Sequence, residues 1–75
     1  MRAKGLLKGI GEEVRERRTR LDLSQEKLAH DAGVHPNVVG RLERGTYNPS
    51  VLTLFSITTK LDTSLAELFT SASRR

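Results

Sequence analysis

Asn37 and Arg41, one helical turn apart, are the side chains of this sequence best suited to reading another molecule's polar edge. A carboxamide donates and accepts at once, which matches adenine N6 and N7, and a guanidinium pairs bidentately with guanine O6 and N7 or clamps a phosphate. The spacing alone does not decide between base and phosphate for Arg41, and an asparagine near a helix start also has the option of bonding its own backbone. Val38, beside Asn37, suits a thymine methyl or the protein's own surface. His30, Asp31 and His35 bring metal-ligating atoms close in sequence, but they leave opposite sides of a turn and no third histidine or any cysteine joins them, so no metal site is expected. A glycine-rich phosphate loop and a serine, histidine and carboxylate arrangement are both missing. The residues therefore favour binding over catalysis, with no cofactor.

The elements that must position these side chains lie between residues 24 and 45, SQEKLAHDAGVHPNVVGRLERG. Ser24 is suited to cap a helix running Gln25 to Ala32, because its hydroxyl accepts from a free N–H of the first turn. Gly33 suits the left-handed position just past that helix. His35 is the expected cap of a second helix, and Pro36 fits its first position, where the missing N–H has no partner anyway. That helix ends near Arg44, before Gly45. Leu28, Ala32, Val34, Val39 and Leu42 supply an apolar interior, with Ala29 small where the two helices cross. Two short helices on a three-residue turn are the layout of a DNA-reading helix-turn-helix, whose second helix projects positions 36, 37, 40, 41 and 44 away from the core and is narrow enough for the major groove.

Three more helices complete an all-α, five-helix domain. Leu7, Ile10, Val14 and Leu21 recur at helical spacing and predict a first helix over about 6–21, with an ordered start that slips towards Gly11 because Gly5, Gly9 and Gly11 each weaken a helix by up to ~1 kcal/mol. Ser50 caps a fourth helix from Val51 to Leu61, with Leu54, Ile57 and Leu61 inward and Val51 and Phe55 close by. Ser64 and Glu67 form a capping box ahead of Leu65, Leu68 and Phe69. From Thr70 the tail has no apolar anchor in its sequence pattern. The expected organisation is one domain over 1–75, ordered from about 6 to 70 with both ends frayed.

A chain of 75 residues buries a modest core and gains from oligomerisation. Its net charge of +4 favours an anionic partner. Seven basic and three acidic residues fall in 1–20, against three and four in 21–45, so a phosphate clamp must borrow from the first helix and from the loop after the hairpin. Arg44, Thr46, Tyr47 and Asn48 stand on that loop, where donors meet a nucleic-acid backbone. No long apolar run or signal-peptide core is present, which points to a cytoplasmic protein with no membrane partner.

The run LSQEKLAHDAGVHPNVVGRLERGTYNPS resembles the Cro/CI-type (xenobiotic-response-element) helix-turn-helix family, and the similarity extends from about Ile10 to Phe69. In length and organisation the chain is also similar to the small controller proteins of restriction-modification systems. The resemblance implies that Asn37, in the first turn of the recognition helix, points into the groove, and that Arg41 holds a position at which relatives contact bases. Gln25 matches a position that holds a phosphate through its side chain and the helix-end N–H groups. Pro36 departs from the family, which often carries a long polar reader there; proline offers only van der Waals contact. Glu43, a carboxylate at the negative end of a helix dipole, needs a cation, and the family supplies it at Arg18.

The implied function is a homodimeric, sequence-specific transcription regulator on a pseudo-palindromic DNA operator, with Leu65, Leu68 and Phe69 as the expected dimer face and RNA polymerase as a further partner if it activates. The alternative is a protein-interaction module such as an antitoxin or adaptor domain.

Overall fold

Four of the five helices begin where a side chain takes up a free backbone N–H. The computed structural model describes residues 2–75, as α1 (Ala3–Arg20), α2 (Gln25–Ala32), α3 (Pro36–Glu43), α4 (Val51–Lys60) and α5 (Leu65–Ser73). Ser24 Oγ accepts from the Lys27 amide at 2.9 Å, Ser50 Oγ from Thr53 at 3.1 Å and Ser64 Oγ from Glu67 at 3.0 Å. At α3 the cap is His35, whose Nδ1 accepts from the Asn37 amide at 3.1 Å. Gly33 closes α2 with φ 71°. Asp22 and Asp62, at φ 57° and 58°, make matching left-handed turns after α1 and α4, each two residues ahead of a capping serine.

The core gathers Ile10 and Val14 of α1, Leu28 and Ala29 of α2, Val39 and Leu42 of α3, Leu54, Ile57 and Leu61 from α4 and its cap, and Leu68 and Ala72 of α5. α1 packs on α3 and α5, and α2 on α3 and α4, so the α2–α3 hairpin is held from both sides. No described helix is long and apolar enough to cross a membrane.

Several expectations are corrected. α1 starts at Ala3, because Gly9 and Gly11 are buried contact points rather than weak links. A β-carbon on Gly9 would stand 2.6 Å from the Ala72 carbonyl oxygen; one on Gly11 would overlap the Leu42 carbonyl and lie 2.9 Å from that of Glu43. Tertiary burial thus outweighs the propensity penalty. Leu21 leaves the expected apolar stripe and is exposed, since α1 ends at Arg20 and Leu21 begins the turn.

The tail differs as well. α5 runs to Ser73 because Ala72 is buried against Gly9, and Arg75 folds back onto α1. Its guanidinium donates to Glu13 at 2.7 Å and Glu12 at 3.0 Å, and to Glu16. Arg17 joins the same knot through Glu13 at 3.2 Å, Thr63 at 3.2 Å and Ser71 at 3.1 Å. The Arg20 and Arg75 guanidiniums hold the Glu16 carboxyl below its ordinary range. Glu16 therefore supports the fold at neutral pH, and that support is lost as pH falls through the lowered value.

Candidate nucleic-acid interface

α3 carries its inward residues, Val39 and Leu42, into the core and leaves Pro36, Asn37, Arg41 and Arg44 exposed or half-exposed on one surface. The His35 cap uses the backbone of Asn37, and the Asn37 carboxamide has no partner among the described residues, so both its donor and its acceptor are free. Val38 is half-buried, which leaves only part of its side chain for an outside contact.

Arg41 does not stand alone. Its guanidinium carbon lies 5.1 Å from the centre of the Tyr47 ring, within reach of a cation–π contact. The Arg41 carbonyl accepts from the Thr46 amide at 3.1 Å and the Thr46 hydroxyl at 3.2 Å, tying the loop back onto α3. The loop candidates Thr46 and Asn48 are exposed and Tyr47 is half-buried. Arg41 therefore sits at the seam between the helix surface and the loop. The sequence holds the two residues six apart, but nothing in it signals the stacking.

Gln25, at the start of α2, and Arg44, past the end of α3, meet over Gly40. A β-carbon at Gly40 would lie 3.4 Å from Arg44 Nη1 and 3.5 Å from Gln25 Oε1. Two donors drawn from different helices thus share one small patch of surface, beside the unpaired N–H groups at the start of α2. Gln25 Nε2 donates to Glu43 Oε1 at 3.0 Å, which leaves its second N–H for an outside acceptor.

Beneath that patch is the pair that fixes it. Arg18 donates through Nε to Glu43 Oε2 at 2.6 Å and through Nη2 to Oε1 at 3.0 Å, while Nη1 donates to the Leu23 carbonyl at 2.7 Å. The side chains are only 12% and 4% exposed. The hydrogen-bonded Glu43 carboxylate pushes the Arg18 pKa up from its already high ordinary value, so the guanidinium stays charged. The Glu43 carboxylate thereby joins α1, the start of α2 and the end of α3, and Arg18 ties in the α1–α2 turn.

Of the three residues expected at a dimer face, one is closed off inside the monomer. Leu68 is fully buried and belongs to the monomer core; Leu65 and Phe69 are half-buried against it. Apart from Leu21, the large apolar side chains left in solvent among the described residues are on α4: Val51 at 66%, Leu52 at 77% and Phe55 at 57% exposure. Their spacing, i, i+1 and i+4, puts them on one face, opposite Leu54, Ile57 and Leu61.

Residues 14–68 match the family model described as helix-turn-helix. The control protein C.SmaI of Serratia marcescens is 38% identical over 61 residues, which cover 81% of this chain and 73% of that protein. Among solved structures, the restriction-modification controller protein C.AhdI from Aeromonas hydrophila superposes with a TM-score of 0.79 at 40% identity, over 83% of this chain and 94% of that one. The clp gene regulator ClgR from Corynebacterium glutamicum gives a TM-score of 0.87 at 28% identity, over 92% of this chain and 73% of its own.

Proposed function

The chain belongs to the helix-turn-helix family of transcriptional regulators, and from that premise we propose that it is a homodimeric, controller-type regulator that reads a pseudo-palindromic DNA operator through α3. The observation that carries the reading is the exposed edge of α3: Asn37 has a free carboxamide in the first turn, and Gln25 and Arg44 flank it as phosphate donors. Asn37 bonds an adenine edge. Pro36 and the exposed part of Val38 make van der Waals contact with the bases, Gln25, Arg44, Thr46, Tyr47 and Asn48 hold the backbone, and Arg41, stacked on Tyr47, works at the boundary between the two.

A two-fold dimer sets two such helices about 34 Å apart along one face of the duplex. The α4 face of Val51, Leu52 and Phe55 supports this reading, because an uncharged apolar patch is stable in water when a second copy covers it. Selection from a random-sequence DNA pool should return two inverted half-sites with centres about one helical turn apart. A single half-site, or no enrichment, would count against it. In sedimentation at micromolar concentration the wild type should be a dimer. Leu52→Asp with Phe55→Asp should give a monomer with unchanged helical circular dichroism. A wild type that stays monomeric at every usable concentration would remove the dimer from the account.

A further inference from the structure

We infer that the first turns of α1 form a second contact to the DNA backbone, made by Lys4 and Lys8. The inference rests on the DNA-binding reading above and extends it to residues that lie outside the segment matched by the family model.

Position comes from packing. α1 crosses the end of α3 at Gly11, against the Leu42 and Glu43 carbonyls, and one turn earlier it meets the loop: a β-carbon on Gly45 would lie 3.1 Å from Lys8 Cα and 3.5 Å from Lys8 Cβ. Lys8 therefore emerges beside the loop that holds Thr46, Tyr47 and Asn48. Lys4, four residues before it, shares its face of the helix one turn further out. Both are exposed.

Charge gives the occupant. Of the four basic residues in the second half of α1, Arg17, Arg18 and Arg20 are already neutralised inside the chain, by Glu13, Glu43 and Glu16, and only Arg15 is not. Lys4 and Lys8 have no carboxylate partner among the described residues. Glu12, the i+4 neighbour with which Lys8 would pair, is taken by Arg75 at 3.0 Å. Two like charges one turn apart disfavour the free helix and are accommodated by an anion that spans both. Regularly spaced phosphates, reached from the end of the recognition helix, fit that spacing; the contact carries no sequence information.

The test is a salt titration of binding to a mixed-sequence DNA duplex and to the selected operator. Lys4→Gln with Lys8→Gln should weaken both DNAs alike and flatten the plot of log affinity against log salt by about 0.9 for each phosphate no longer neutralised, about 1.8 for the pair. Arg44→Ala is the reference for a phosphate held from α3. Lys60→Gln, which removes a charge near Asp31 at the other end of α2, should leave the slope unchanged. A wild-type slope in the double lysine variant, with Arg44→Ala still flattened, would overturn the inference and leave the DNA-binding reading standing. So would a Lys60→Gln effect on the slope as large as half that of the lysine pair. A wild type that retains no DNA at low salt would end both.

Discussion

Glu43→Ala should lower the free energy of unfolding by about 3 to 5 kcal/mol, because it leaves the Arg18 guanidinium desolvated without its carboxylate. Glu43 is 4% exposed and accepts three hydrogen bonds, two from Arg18 and one from Gln25, so no water shell is at hand to replace it. The effect should reach beyond stability. Gln25 is held by the same carboxylate, and freeing it should weaken binding to operator and mixed-sequence DNA together. Arg18→Ala with Glu43→Ala should cost less than the two single substitutions combined, since the second removes the charge that the first strands. Chemical denaturation of the four proteins measures this. An unfolding midpoint in Glu43→Ala equal to that of the wild type would contradict a structural role for the pair.

Gly11→Ala should cost about 3 kcal/mol, the upper part of the range for overpacking, because the added β-carbon meets backbone rather than a side chain that can turn away. The obstructing atoms are the carbonyl oxygens of Leu42 and Glu43, fixed at the end of α3. Alanine's advantage within a helix, up to about 1 kcal/mol, opposes the cost without cancelling it. Gly40→Ala supplies the contrast. Its β-carbon would meet only the mobile ends of Arg44 and Gln25, at 3.4 and 3.5 Å, so the propensity gain should survive and the variant should be as stable as the wild type or more so. The same replacement in two helices of one domain thus has opposite expected signs, read by the same denaturation experiment. Equal midpoints for Gly11→Ala and wild type would show that α1 stands off from α3.

What could be read along the chain was local. Ser24, Ser50, Ser64, Gly33 and Pro36 act within a few residues of themselves, and each does in the structure what its chemistry requires. The Arg18–Glu43 pair was legible through the family resemblance and from the mismatch between a carboxylate and a helix C-terminus. The rest depends on distances between helices. Gly9 and Gly11 look like weak helix positions until α5 and α3 are placed against them. Arg75 meets carboxylates about sixty residues away, which no short-range pattern records. α4 has apolar residues on two faces and α5 on one; periodicity identifies the stripes without saying which of them a neighbouring helix covers. That is why the sequence pattern groups Leu65, Leu68 and Phe69 without saying which of them closes the monomer core, and gives no sign that Leu52 is left in solvent. At the candidate site, the individual donors were legible, whereas the meeting of Gln25 and Arg44 over Gly40 and the stacking of Arg41 on Tyr47 were not.

The central claim is that α3 reads base sequence, and Asn37→Ala tests it most directly. The variant and the wild type should be titrated against the selected operator and a mixed-sequence duplex at the same salt. Asn37 caps nothing with its side chain, so the fold should be unaffected. The account predicts a loss of about 1 to 3 kcal/mol on the operator, relaxed preference at one base pair in each half-site, and nearly unchanged binding to mixed sequence. Equal losses on both DNAs would contradict it, and would make the exposed edge of α3 a backbone clamp.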